Sequence, residues 1–302
     1  LLQAFFKFRL NKAKLQSQLH FEQQEAKRVK ELDTVKTQLY ANITHEFRTP
    51  LTVILGMAQQ VKEKPEEHLD VGMDMIVRNG KHLLNLVNEM LDLSKLEDGK
   101  MTLHFVKGDV INFLRYVVES FQSLAAGQQK QFHFLADADE LVVAYDAEKL
   151  RQIITNLLSN AFKFTFEGGS INFDIEKRNS NTTDQTEWIA MKIQDSGIGI
   201  PTDKQEVIFE RFFQNTTAES ILNQGSGIGL AITREFVKMH GGKIEVESEV
   251  GKGSTFIIHL PFTELQTTNE QPVLLPQIES ELVEPILHEE GITEYAGGNT
   301  KS

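Results

Sequence analysis

The run Ile43-Thr44-His45-Glu46-Phe47-Arg48-Thr49-Pro50-Leu51-Thr52 sets a histidine beside a carboxylate and puts a hydroxyl four residues past the histidine. The surrounding segment reads as one long amphipathic helix. An attacking imidazole must be neutral at one nitrogen and shed a proton from the other as the new bond forms. Glu46 is placed to take or steady that proton. Thr49, one helical turn on, can orient a water in line with a group carried by His45. Pro50 removes a backbone N–H and predicts a bend just beyond the histidine.

A second set of residues points to phosphate and purine. Glycines cluster in Asp195-Ser196-Gly197-Ile198-Gly199, in Gly225-Ser226-Gly227-Ile228-Gly229 and in Gly251-Lys252-Gly253. The middle cluster runs straight into the helical Leu230-Ala231-Ile232-Thr233-Arg234. Its backbone can therefore approach an anion while the helix N-terminus offers free N–H groups. The spacing is not the dinucleotide fingerprint, and no Gly-Lys-Ser/Thr follows to make a Walker loop. Asp195 ends the strand-like Trp188-Ile189-Ala190-Met191-Lys192-Ile193-Gln194-Asp195. A carboxylate buried there can accept from an exocyclic amine, which separates adenine from guanine. Asn156, Asn160 and Lys163 share one helical face, while Ile153, Ile154, Leu157, Leu158 and Phe162 occupy the other positions. Asparagine disfavours a helix interior. An amide oxygen on Mg2+ with a lysine beside it gives the exception a reason.

These groups must be held by two kinds of structure. With 302 residues, 40% hydrophobic and 25% charged, the chain fits about two soluble domains. Its net charge of −12 argues against nucleic-acid partners, which need basic faces, and the absence of cysteine excludes disulfides and thiolate chemistry. The chain starts at Leu1 rather than methionine and reads as an excised piece; its apolar-then-basic opening resembles the cytoplasmic end of a membrane span. Residues 1–30 then form a juxtamembrane or signalling helix. Leu32, Val35, Leu39, Ile43 and Phe47 continue a narrow apolar stripe, and after a turn at Lys62 to Glu66 a second stripe runs from His68 to Leu96. Two such helices bury both stripes only as a dimeric four-helix bundle, placed at 31–98. From 101 to 262 short β-like runs alternate with helical ones, an α/β two-layer arrangement. Residues 263–302, with three prolines and many glutamates, lack periodicity and read as a flexible linker or tail.

The ordered set NLLSNAFKFT, DSGIGI, FERFF and GSGIGLAI resembles the N, first glycine, F and second glycine boxes of the sensor histidine kinase ATP-binding domain, of the Bergerat or GHKL fold. ITHEFRTPLT resembles the H box of the same kinases. The resemblance covers about 30 to 262. It implies His45 as phosphoryl acceptor assisted by Glu46, with Thr49 serving the reverse hydrolysis. It further implies ATP as nucleotide, Asn160 as ligand of Mg2+, Lys163 and Asn156 near the phosphates, and Asp195 on the adenine amine. Gly197 and Gly199 would shape the pocket. Phe209 to Phe213 would pack the base of a mobile lid over 212–226, ending in Gly225, Gly227 and Gly229. Many members carry arginine where Gln214 stands here, so Arg211, Lys163 and Lys204 are all candidates to steady the γ-phosphate.

Related ATPases place a glutamate four residues before the magnesium asparagine; here Asn156 stands there and cannot be a general base. Phosphoryl transfer to His45 is therefore expected over ATP hydrolysis. The rival readings are a GHKL-type ATPase, a protein serine kinase, which would lack the histidine box, and a non-catalytic dimeric scaffold. The resemblance also implies a homodimer, an upstream sensor region, and transfer to a response-regulator receiver aspartate. That receiver would act in trans or follow the tail, as in a hybrid kinase. The place implied is the cytoplasmic side of a bacterial inner membrane.

Overall fold

The computed structural model describes residues 14, 18, 21, 23–25, 27, 41, 43–179, 187–211, 213 and 227–262. The expectations for Leu32, Val35, Leu39 and the tail 263–302 fall outside these residues. The chain divides into two compact units, Leu1–Leu83 and Leu84–Ser302. In the first, helix α1 runs over 43–63 and α2, Pro65–Glu97, begins one residue later. Lys64 alone is non-helical. Its carbonyl accepts from the His68 amide, and Pro65 takes the first helical position, where no N–H is needed. The two helices approach closely at Gly72, where a Cβ would strike the Val61 side chain. Pro50 sits inside α1, which continues as helix to residue 63. Leu51, Leu55, Leu69, Val71, Met73 and Val77 stay exposed on this unit.

The second unit contains the end of α2 and a mixed α/β domain. A five-stranded sheet has the order β2 (Gln131–Ala136), β4 (Ser170–Asn179), β5 (Glu187–Asp195), β7 (Gly253–Phe262), β6 (Lys243–Glu249). Only β2–β4 is parallel. Helices α3 (Val110–Gly127), α4 (Ala147–Phe164) and α5 (Gly229–Met239) supply the second layer. All six strands expected from the sequence are present. A further strand, β1 (Val106–Asp109), pairs antiparallel with β3 (Val142–Tyr145).

Helix α4 is central. Asp146 caps its first turn by accepting from the Lys149 amide, and Leu150, Ile153, Ile154, Leu157, Leu158, Ala161 and Phe162 follow at helical spacing and are buried. Phe162 lies 5.5 Å from Phe121 and 5.3 Å from Phe132, ring centre to ring centre, joining α3 and β2 to α4. The edge strand β6 alternates exposed charges with half-buried Ile244 and Val246, a pattern that discourages edge-to-edge pairing.

The last turns of α2 also belong to this unit: Leu93 enters its core and Met90 and Leu96 pack against it. Asp92 is buried there. Its Oδ2 is 3.4 Å from the buried Nζ of Lys149 and accepts from Gln152 at 3.2 Å. The Lys149 ammonium also lies 4.8 Å from the centre of the Phe236 ring, so one cation ties α2, α4 and α5 together.

Candidate active site

His45 lies exposed on α1 with Glu46 half-buried beside it. The Thr49 hydroxyl donates to the His45 carbonyl at 3.3 Å. Pro50 offers no N–H to the Glu46 carbonyl, so the helix has a missing rung next to the histidine. Threonine in a helix divides between two χ1 wells, so the hydroxyl can exchange this carbonyl for another acceptor.

The second unit gathers around α4 the residues expected at a nucleotide. Asp195 closes β5, and its Oδ1 accepts from the Gly197 amide at 2.8 Å and the Ser254 amide at 3.3 Å. Among the described residues Oδ2 accepts no hydrogen bond, which leaves an anionic oxygen for a donor from outside the protein. Burial lifts the Asp195 carboxyl above its ordinary 3.8, and the two amides pull it partly back. Gly197 has to be glycine: a Cβ would strike the Phe164 carbonyl at the end of α4. The loop is anchored there as Ile198 N donates to Phe164 O at 3.3 Å. Gly199 has φ +71 and lies against the Glu249 carbonyl. Ser248 fixes the same loop, its Oγ accepting from the Ile200 amide at 2.7 Å and donating to the Gly253 carbonyl at 2.8 Å.

Asn156 and Asn160 are half-buried one turn apart on α4. The Asn156 Nδ2 donates to Thr233 Oγ1 of α5 at 2.8 Å. Gly229, first residue of α5, packs on the same amide, where a Cβ would come within 2.5 Å of Asn156 Oδ1. The Asn160 amide makes no hydrogen bond among the described residues. Lys163 lies in the last turn of α4 with Nζ 5.5 Å from the Phe164 ring centre. Gly227, φ +65, leads into α5 through Ile228, and among the described residues no side chain caps that helix. A helix N-terminus presents backbone N–H groups and a partial positive charge that suit an anion. Gly225, Gln214 and most of the 212–226 segment lie outside the described residues.

Phe209 is buried, edge-on to Phe256 at 6.3 Å and 5.7 Å from the Arg234 guanidinium. It anchors the short turn Val207–Phe209 to the core. Phe213 packs half-buried against the same core. Arg211 pairs with Glu97 in the last turn of α2. Sequence reasoning overlooked three residues of the site: Ser254, Ser248 and Thr233. Each works through a contact to a residue distant in the chain, which no local spacing signals.

Among the described residues no group of three or more His, Cys, Asp or Glu could hold a metal. The donor set suits Mg2+ nonetheless, because that ion takes one or two protein oxygens and completes its shell with phosphate and water.

Residues 35–99 match the family model of the His Kinase A (phospho-acceptor) domain, and residues 145–264 match that of the histidine kinase-, DNA gyrase B- and HSP90-like ATPase. The chain belongs to the histidine kinases. It is 35% identical to hybrid signal transduction histidine kinase D of Dictyostelium discoideum over 240 residues, 78% of this chain and 15% of that protein. A solved structure of full-length ShkA in complex with AMPPNP is similar with a TM-score of 0.56 and 30% identity, over 76% of this chain and 46% of that one. The histidine kinase ThkA, solved in complex with the response regulator TrrA, gives 0.51 and 25% identity over 75% and 61%. The chain spans well under half the length of the curated relatives it matches.

Proposed function

We propose that this chain transfers the γ-phosphoryl group of ATP to His45 and passes it on to a receiver aspartate of a response regulator. The observation that carries this reading is a buried Asp195 whose Oδ2 accepts no hydrogen bond among the described residues, in a chain that also exposes His45 within its phospho-acceptor domain. The P–O bond to ADP breaks as a bond to an imidazole nitrogen forms, and the proton on the other nitrogen leaves to Glu46 or solvent.

Asp195 selects adenine through its 6-amino group. Asn160 would hold Mg2+, which offsets charge on the phosphates, while Lys163 and the amides after Gly227 face the same charge. Arg211, paired with Glu97 in the resting protein, remains a candidate for the γ-phosphate together with Lys163 and Lys204. Thr49 serves dephosphorylation. The competing ATPase reading needs a base at position 156, and a neutral amide bonded to Thr233 is none.

The exposed apolar residues of α1 and α2 fit a homodimer with a four-helix bundle over 31–98, beside an ATP-binding domain over 101–262. Residues 1–30 connect to an upstream sensor and 263–302 serve as linker or tail. No helix among the described residues is long and apolar enough to cross a membrane. The response-regulator partner is supported by ThkA, solved with TrrA. Mapping phosphate by mass spectrometry after incubation with Mg-ATP tests the reading: it should appear on the peptide holding His45 and leave when a purified receiver domain is added. Phosphate on a serine or threonine instead would overturn it.

A further inference from the structure

We infer that Thr233 is a positioning residue for triphosphate binding, acting through Asn156. The inference rests on the nucleotide site proposed above. Thr233 is 2% exposed, in the second turn of α5, and has no direct claim to the ligand. Its hydroxyl accepts from Asn156 Nδ2 at 2.8 Å across 77 residues of sequence.

The bond fixes two things. First, it ties the Asn156 side chain to α5: Nδ2 donates to the Thr233 hydroxyl while Oδ1 lies on the Gly229 side. Second, it sets the spacing between helices. Asn156 is wedged between Thr233 and Gly229, the residue whose amide opens α5. Asn160 lies one turn further along α4 on the same face. The hydroxyl therefore holds the Asn160 face of α4 at a defined position against the amides that receive phosphate. A methyl in its place keeps the volume and removes the acceptor, leaving a half-buried N–H to flip, seek water or push the helices apart.

The adenine end is built from other elements. Asp195, Gly197 and Ser254 belong to β5, its following loop and β7. A fault at Thr233 should then be felt at the phosphates and not at the base. General loosening of the fold would weaken both, so the ligand series separates positioning from structural support.

The test is calorimetric titration of Mg-ATP and of adenosine into wild type, Thr233→Val, Thr233→Ser, Asn156→Ala and the Thr233→Val/Asn156→Ala double variant. Expected results are an approximately tenfold weaker Mg-ATP affinity in Thr233→Val, adenosine affinity within twofold, and recovery in Thr233→Ser. In the Asn156→Ala background Thr233→Val should add nothing, since the side chain it acts through is gone. Equal losses for Mg-ATP and adenosine, full additivity in the double variant, or no change in Thr233→Val would each overturn the assignment. If Thr233→Val does not fold, Thr233→Ser against Thr233→Ala supplies the same comparison. Labelling of His45 in the wild type is scored separately, so a failed kinase reading and a failed role for Thr233 give different patterns.

Discussion

Replacing Asp195 by asparagine should separate adenine recognition from fold stability. The Oδ1 atom already accepts from the Gly197 and Ser254 amides, and an asparagine carbonyl can keep both bonds. What changes is the Oδ2 position, where an acceptor becomes an NH2 donor facing the adenine amine. Losing a hydrogen bond to a charged acceptor costs about 1.5–3 kcal/mol, and opposing two donors adds about 1 kcal/mol. The sum, about 2.5–4 kcal/mol, corresponds to roughly 60- to 800-fold in dissociation constant.

Stability should move the other way. Burial raises the Asp195 carboxyl above 3.8, so its charged form opposes folding. That penalty is absent below the ordinary value and complete above the raised one, which means Asp195→Asn removes it at neutral pH. Calorimetry with Mg-ATP and Mg-ITP, whose base carries a carbonyl in place of the amine, reads the first effect. The ATP-over-ITP preference should collapse while the unfolding midpoint stays level or rises. An unchanged Mg-ATP affinity, or an unchanged preference, would refute the role given to Oδ2.

Other perturbations address the remaining parts. Asn160→Ala should abolish the Mg2+ dependence of ATP binding while adenosine still binds; retained Mg2+ dependence would move the metal elsewhere. Asp92→Ala leaves the buried Lys149 ammonium with only the exposed Glu148 carboxylate, 3.3 Å away, and should cost part of the about 3–5 kcal/mol of a wholly unpaired buried charge, read as a fall in unfolding midpoint. Lys149→Met paired with Asp92→Leu should recover much of that loss, because a packed apolar pair replaces a desolvated ionic one. Thr49→Ala should spare phosphorylation of His45 and slow its reversal, measured as label lost over time; equal damage to both steps would remove Thr49 from the hydrolytic role.

The candidate site residues stood out because each sits in a short run whose composition is costly for helix or strand stability: two asparagines on the polar side of α4, a carboxylate at the end of an apolar strand, and glycines leading into α5. The structure gives two of them a packing role as well, since Asn156 bonds Thr233 and Gly229 lies against its amide. The six strands of the main sheet and of β3 were legible from alternation and apolar runs. Strand β1 was not: Val106-Lys107-Gly108-Asp109 has poor strand composition and is held by pairing with β3 and by Asp109, which caps α3 and accepts from the Leu141 amide. Contacts that cross the chain were equally hidden. Thr233 on Asn156, Ser254 on Asp195 and Glu97 on Arg211 join segments whose proximity only the folded sheet and helices create. Pro50 was legible as a bend inside a continuing helix, and α1 does run through it to residue 63, a single missing rung being tolerated when the turns on either side are intact.

The most direct test of the account is incubation with γ-labelled Mg-ATP, comparing wild type with His45→Gln and following the label through acid and alkali. A phosphate stable to alkali, labile to acid and present only in the wild type is the predicted result. Steady release of free phosphate with no labelled protein, or the same label on His45→Gln, would contradict it.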